Sequence, residues 1–204
     1  MANGKVITGY SMPIVAKYGF ANNAVSYTDI MALARGVEVN IEVDTGDSTN
    51  FYADNTIAES VAGQFNGATA TLTVDGLKKE ARTLIAGLVT TENINVNGTN
   101  VSADVYDDLQ VIPYVGIGFV VRYMENGVTS YAPVILPKAQ FSPEGLDAAT
   151  QGEEVEFQTT ELTATVMRSD ASGHRWKVVA DDQTTEAKAV AVINAYFGAG
   201  AITT

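Results

Sequence analysis

The sequence contains no cysteine among its 204 residues. Disulfide bonds, thiolate metal sites and cysteine nucleophiles are therefore excluded. Positive charge is also scarce, because 12 Lys and Arg face 24 Asp and Glu and leave a net charge of −12. Two acidic stretches, 37–64 and 139–164, contain no Lys or Arg. Tight binding to DNA through phosphate neutralisation is not expected of such a chain.

Long apolar runs and aromatic clusters are missing as well. The apolar run that begins at Ile14 stops at Lys17, whereas a membrane span needs about 20 apolar residues and a signal peptide about 7–15. We therefore expect no membrane contact and release without the secretory pathway. A single Trp and an aromatic content of 8% also provide no stacking surface for nucleic acid.

What is present favours strands. The 18 glycines and the frequent Thr, Val and Asn are typical of strands and turns rather than of helices. A chain of this length can bury about 70% of its unfolded surface in one domain. We expect a single domain over 1–204, mainly β, an antiparallel β-sandwich or barrel with one or two flanking α-helices.

Two segments alternate strictly between apolar and polar residues, as strands with one buried face do. The apolar positions of the first are Val37, Val39, Ile41 and Val43, and its polar positions are Glu38, Asn40 and Glu42. The second alternates Ala70, Leu72 and Val74 with Thr69, Thr71 and Thr73. We interpret the two segments as a hairpin with an oversized loop.

The loop of this hairpin, about 45–64, is polar, acidic and without strong periodicity. It is longer than an ordinary connection, which indicates a functional or partly mobile segment. Its few apolar side chains are too irregular for a self-contained element. We expect it to bind a neighbouring subunit, because aromatic anchors among polar residues are typical of interfaces. The residues assigned to this role are Asp44, Asp47, Phe51, Tyr52, Asp54, Ile57 and Glu59.

Two helices are expected outside the strands. The first covers about 76–87, with Asp75 as its cap and Gly87 as its end. The second covers 182–197 and ends at Gly198, with an inward face formed by Ala189, Ile193 and Phe197.

Turn residues divide the second half of the chain. Asn-Gly pairs at Asn97 and at Asn126 predict two-residue hairpin turns. Pro133, Pro137 and Pro143 predict a connector that is not a central strand. Residues 155–168 resemble a strand with a β-bulge near 159–160 that keeps Val155, Phe157, Leu162, Ala164 and Val166 on one buried face. Trp176 and Val178 predict one more strand.

No catalytic or metal site is expected. Asp44, Thr45 and Gly46 match the Asp-Thr-Gly loop of aspartic proteases, but Glu42 and Asp47 make its setting too polar and too negative. A calcium loop would need a closing Glu that is missing here, so calcium is only a weak alternative. His174 is the single histidine and has no Gly-x-Ser-x-Gly partner. We therefore expect no enzyme, no cofactor and no bound metal.

Several stretches, in order along most of the chain, resemble the major tail tube proteins of long non-contractile-tailed phages of Gram-positive bacteria. They are 1–9 (MANGKVITG), 33–37 (LARGV), 50–55 (NFYADN), 67–81 (GATATLTVDGLKKEA), 131–138 (YAPVILPK) and 150–153 (TQGE). The stretch at 67–81 carries the resemblance most strongly. These signatures are structural, not catalytic.

The resemblance implies a β-sandwich whose copies form hexameric rings that stack into a tail tube. The inner strands would join into one barrel, and the loop between the second and third strands would reach neighbouring subunits. The partners it implies are other copies of the chain, the tape-measure protein, and the tail-terminator and distal tail proteins. DNA would pass through without sequence-specific binding. The location it implies is the tail of the virion, assembled in the cytoplasm of the bacterial host.

The acidity of the chain fits this function, although solubility alone also accounts for it. A channel for DNA should repel phosphates mildly, so we expect the face of Glu38, Asn40, Glu42, Thr69, Thr71 and Thr73 to line the lumen. The alternatives are a secreted or surface carbohydrate-binding or adhesive β-sandwich module, and another virion protein such as a contractile-tail tube or a tail-completion protein. The single Trp argues against a carbohydrate-binding module.

Overall fold

The computed structural model describes residues 4–143, 145–146, 148–150 and 157–198. Several acidic residues of the second acidic stretch lie outside the described residues, namely Glu144, Asp147, Glu153, Glu154 and Glu156. Val155 and the ends of the chain, 1–3 and 199–204, lie outside them too.

The fold is mainly β with antiparallel sheets and flanking helices, as the sequence predicts. The strands are β1 (Val6–Ala21), β2 (Ala24–Ala32), β3 (Gly36–Thr45), β4 (Thr49–Ala53), β5 (Thr56–Val61), β6 (Phe65–Val74), β7 (Thr90–Val96), β8 (Thr99–Val105), β9 (Val115–Glu125), β10 (Val128–Phe141), β11 (Thr160–Met167) and β12 (Val178–Val179). The helices are α1 (Lys79–Ala86) and α2 (Glu186–Gly198).

Eight strands form one sheet, in the order β2-β1-β9-β10-β11-β6-β3, with β12 paired to β10. The hairpins β4–β5 and β7–β8 are separate two-stranded sheets. The main sheet curves so that β3 approaches β1. A Cβ added to Gly36 on β3 would lie 2.3 Å from the ring of Tyr10 on β1. The result is a sandwich-like, partly closed barrel around one core.

The inner face of this sheet holds the main core. Every second residue of β6 is buried there, and Val15 on β1, Phe119 on β9 and Leu162 on β11 pack in the same cluster. The helix α1 adds Ala81 and Ile85 to this cluster. Burial of a large apolar side chain stabilises the fold by about 1.5–3 kcal/mol.

The outer face of β1, β2, β9 and β10 is covered by α2. Ala189, Ile193 and Phe197 are at most 1% exposed, which confirms the inward face predicted for this helix. The helix begins at Glu186, four residues later than expected. Gly116 and Gly118 of β9 allow the close approach of α2.

The first helix begins later than its pattern predicts. The Asp75 carboxylate accepts hydrogen bonds from the backbone nitrogen and the Nε of Arg35, so it ties β6 to β3 and does not cap α1. No side chain caps α1, which begins after Lys78. Gly87 ends the helix as expected, with a left-handed φ of 66°.

The prediction of a proline-rich connector is wrong, because Pro133 and Pro137 lie inside β10, between β9 and β11. The Pro133 carbonyl accepts from the Ala180 nitrogen, so the nitrogen of Pro133 points to the same side, away from β9. Pro137 lies in the irregular pairing between Leu136 and Ala139. Neither proline therefore removes a hydrogen bond from the β9–β10 ladder.

Two strand predictions need correction. β11 begins at Thr160, and Phe157 is 94% exposed, so the bulge that was expected to bury Phe157 is absent from the described residues. Leu162, Ala164 and Val166 are buried as expected. In β3, Val39 and Ile41 face the core, but Val37 and Val43 are 54% and 46% exposed.

The predicted Asn-Gly turns are confirmed, with positive φ at Asn97, Gly98, Asn126 and Gly127. The long hairpin β1–β2 was not predicted. Asn22 and Asn23 form its turn with φ values of 50° and 60°. This Asn-Asn pair between two apolar segments is the signal that could have revealed the hairpin.

Candidate assembly surfaces

A continuous polar face runs across β3, β6 and β11. The register places Glu38 opposite Thr73, Asn40 opposite Thr71 and Glu42 opposite Thr69. The six residues predicted to share a polar face therefore lie side by side. β11 extends this face with Glu161, Thr163 and Thr165. We call these nine residues the polar strand face.

The polar strand face carries only negative charge and hydroxyl or amide groups. None of the residues of β3, β6 and β11 is Lys or Arg. Glu38 and Glu42 are exposed, and Asn40 Nδ2 donates to Glu42 Oε1 at 3.3 Å. At the end of β3, Asp44 accepts from Asn66 Nδ2 at 2.6 Å. Such a face can hydrogen-bond to water, and its negative charge repels phosphate groups.

The cations that border this face are held by other groups. Lys138 on β10 contacts Asp170, with 2.7 Å between Nζ and Oδ2, and Tyr18 also donates to that carboxylate at 2.9 Å. The hydrogen bond from Lys138 lowers the pKa of Asp170. Arg168, which follows β11, donates to the Phe65 carbonyl at 2.7 Å. Their positive charge is therefore engaged by these partners.

The strand β3 is also an edge of the main sheet within the described residues, and β2 is the other edge. A free edge presents unpaired backbone groups that can hydrogen-bond to a strand of another chain. Charged side chains on the edge oppose uncontrolled pairing, and β3 carries Glu38, Glu42 and Asp44. The polar strand face therefore extends to an edge at which a further strand can be added.

The segment 45–64 is not the irregular loop that its weak periodicity predicts. Most of it forms the hairpin β4–β5, which turns at Asp54 and Asn55 with φ values of 49° and 62°. A register shift between Phe51 and Tyr52 interrupts the alternation, so the sequence pattern conceals the strands. The hairpin leaves the sheet where the Gly46 nitrogen donates to the Gln64 carbonyl at 2.9 Å.

The side chains of this hairpin point into solvent. Phe51 and Tyr52 are each 62% exposed and Ile57 is 55% exposed. The other residues predicted for the interface, Asp47, Asp54 and Glu59, are exposed as well, whereas Asp44 belongs to β3. An isolated two-stranded hairpin is only marginally stable in water. Its exposed apolar side chains make it a candidate for contact with another molecule.

A second projecting hairpin, β7–β8, was not recognised as a surface from the sequence. Its register places Ile94 opposite Val101 and Glu92 opposite Ala103 on one face. The other face is polar, with Asn95 Nδ2 donating to Asn100 Oδ1 at 2.8 Å. Ile94, Val96 and Val101 are 50–54% exposed. The alternation of Ile94 and Val96 with the flanking Asn residues at 93, 95 and 97 was the signal, since it predicts a strand with one buried face.

The single histidine of the chain contacts a backbone carbonyl. His174 lies in a turn, and its Nδ1 faces the carbonyl of Ser169 at 3.1 Å, not the Ser169 hydroxyl. Among the described residues, no group of three or more His, Asp or Glu is placed to hold a metal ion. The described part of the chain also contains no helix that is long and apolar enough to cross a membrane.

One partly buried polar pocket lies between β1, β9 and α2. Ser11 donates to Glu186 there, and the buried Tyr10 hydroxyl has no partner among the described residues. Burial raises the pKa of Tyr10 well above its usual range. A phenol with a raised pKa is a weaker acid and stays protonated near neutral pH. The ring of Tyr10 packs edge-on against Phe119 with 5.5 Å between centroids. Tyr10 is therefore a packing residue of the barrel.

No family model matches the chain, and no curated protein matches it in sequence.

Proposed function

We propose that the protein is the tube subunit of a phage tail, which polymerises as stacked rings around a channel for the genome. The observation that carries this proposal is the polar strand face. It is acidic, contains no Lys or Arg, and reaches the free edge of β3. A wall that repels phosphates weakly lets DNA pass without a binding step.

The fold is suited to such a ring. Copies that join through the edges β2 and β3 satisfy the backbone groups left open at both edges, and head-to-tail contacts close into a ring. A barrel built from the strands of many copies is too wide for side chains to fill, so its centre remains open. In the ring, the polar strand face lines this opening.

The projecting hairpin β4–β5 provides the contact to a neighbouring subunit. Phe51, Tyr52 and Ile57 are exposed in the single chain, and burial in an interface would remove them from water. The further partners in this proposal are the tape-measure, tail-terminator and distal tail proteins, in a tail assembled in the bacterial cytoplasm. DNA passes through and is not bound by sequence, and no enzymatic activity or cofactor is involved.

A carbohydrate-binding or adhesive module is less well supported. Such a module offers neighbouring aromatic rings on one surface to stack against sugars. Here the exposed pair Phe51 and Tyr52 belongs to a separate two-stranded hairpin, which is only marginally stable by itself and is not a rigid sheet surface. Trp176 stacks on Phe65 with 4.4 Å between centroids, so neither ring has both faces free.

The test is the assembly state of the purified chain. We expect concentration-dependent rings or hollow tubes in electron micrographs, with matching fast species in sedimentation velocity. Tubes should form equally in the presence of a chelator, since no metal is required. A chain that remains monomeric at all concentrations and binds an immobilised glycan would overturn the tube function and support the adhesive module.

A further inference from the structure

The hairpin β7–β8 has an apolar face whose outer part is left uncovered by the described residues of its own chain. We call Ile94, Val96, Val101, Ala103 and Val105 the apolar hairpin face. Its three largest outer members are each at least half exposed. The base of the hairpin contacts α1, where Lys79 Nζ lies 3.1 Å from Asp104 Oδ1. A hairpin with one apolar and one polar face is suited to packing its apolar face against another surface.

An apolar groove opens between β3, β9 and β12. It is lined by Val39 and Ile41 of β3, Val121 and Tyr123 of β9, Val179 of β12, and Lys177. Its volume is about 230 Å³, below the roughly 300–1,000 Å³ of small-molecule sites. A groove of this size accommodates a few side chains of a protein partner. Val179, at its rim, is 56% exposed.

The charges of the two surfaces are complementary. Glu92 is exposed and belongs to the same side of β7 as Ile94. Lys177 is exposed at the groove, and its ammonium lies 4.9 Å from the centroid of the Trp176 ring, with no carboxylate partner among the described residues. An apolar face that carries one carboxylate therefore fits an apolar groove that carries one ammonium group.

We propose that the apolar hairpin face of one copy binds the groove of the next copy, with Glu92 facing Lys177. Within one chain both surfaces are exposed, so they do not cover each other. A contact between two different surfaces of identical chains is head-to-tail and repeats from copy to copy. This inference rests on the proposed function, because it adds a further contact between tube subunits to those of the sheet edges and of the hairpin β4–β5.

Cross-linking between single-cysteine variants tests the contact, since the native chain has no thiol. Ile94→Cys carrying a mass tag is mixed with untagged Val179→Cys at assembling concentration and oxidised mildly. The matched control replaces the tagged partner by Asn93→Cys, which lies on the polar face of the same hairpin. We expect heterodimers of 94 with 179 to exceed those of 93 with 179 by at least about tenfold, because neighbouring side chains of a strand point to opposite faces.

A second measurement uses charge. Glu92→Lys should raise the concentration needed for assembly several-fold, and the added change Lys177→Glu should restore it. Rings or tubes without enrichment of the 94–179 heterodimer would overturn the contact while leaving the tube function in place. Enriched heterodimers without rings would support the contact and overturn the tube. A chain that stays monomeric and is not cross-linked would overturn both.

Discussion

Gly118 on β9 lies directly beneath Ile193 on α2, and a Cβ added to Gly118 would be only 2.3 Å from Cγ2 of Ile193. Real Cβ atoms do not approach another atom so closely. The same holds at Gly116, where the nearest atom of Phe197 would be 2.5 Å away. The helix therefore packs against the backbone of β9 itself.

The first prediction concerns this contact. Gly118→Ala should destabilise the fold by about 1–3 kcal/mol, because overpacking forces Ile193 or the helix to move. The measurement is the midpoint of urea unfolding. Gly67→Ala on β6 is the control, since its added Cβ would meet its nearest atom at an ordinary 3.7 Å. Equal midpoints for the two variants would contradict the close packing of α2.

A second prediction concerns pH. The hydrogen bond from Lys138 lowers the pKa of Asp170. The carboxylate therefore makes its full contribution to stability above the unfolded pKa of about 3.9. This contribution is lost as the pH falls towards the folded pKa. Asp170→Asn should therefore be less stable than the native chain at pH 6, by no more than about 1 kcal/mol for a partly exposed pair. This difference should shrink near pH 3.

Unfolding at both pH values, with Asp108→Asn as an exposed control, measures this effect. A difference between Asp170→Asn and the native chain that is constant from pH 6 to pH 3 would show that the carboxylate contributes no pH-dependent stability.

The third prediction removes the hairpin β4–β5. A Cβ added to Gly63 would lie 1.5 Å from the Gly46 carbonyl oxygen, so the two backbones meet there. Deleting 47–62 leaves Gly46 and Gly63 as a two-residue turn, and glycine suits the positive φ of such turns. We expect a folded, soluble monomer that no longer forms stable tubes. Circular dichroism and sedimentation velocity measure the two properties separately.

Phe51→Ala with Tyr52→Ala is the milder version of this change. It should weaken assembly without lowering the unfolding midpoint, since both rings are exposed in the single chain. Normal tubes from the deleted chain would show that the hairpin has no part in assembly.

The fourth prediction concerns the polar strand face. Glu38→Lys with Glu42→Lys should leave assembly intact but slow genome release from particles built with the variant, because each added cation recruits about one phosphate contact in every copy. Glu125→Lys with Asp181→Lys makes the same change of charge at exposed positions elsewhere, and release should stay at the native rate. Tubes that carry Glu38 and Glu42 on their outer surface would refute the assignment.

The sequence was informative wherever local patterns decide structure. Strict alternation predicted the pairing of Glu38 and Glu42 with the Thr-rich strand, and the Asn-Gly pairs predicted two turns. It failed where distant contacts decide. Asp75 was expected to cap α1 but binds Arg35, a residue forty positions earlier. Pro133 was expected to break a strand. It is tolerated in β10 because its nitrogen points towards 180–183 and not towards β9, and the position of 180–183 is set only in the folded chain.

The candidate surfaces show the same division. The six residues of the predicted polar face could be grouped from period-two alternation alone. The groove at Lys177 could not, because β3, β9 and β12 come together there only in the folded chain. The hairpin β4–β5 was hidden by a register shift, which breaks the apolar–polar alternation by which a short strand is recognised.

The meeting of Gly46 and Gly63 makes the hairpin β4–β5 an appendage that enters and leaves the domain at one point. Its length and sequence can change without shifting the register of β3 on β6, because its side chains contribute nothing to the core. Insertions at an exposed turn such as Asp54 and Asn55 are tolerated for the same reason. A foreign peptide placed there would be displayed once per chain, outside the body of the domain.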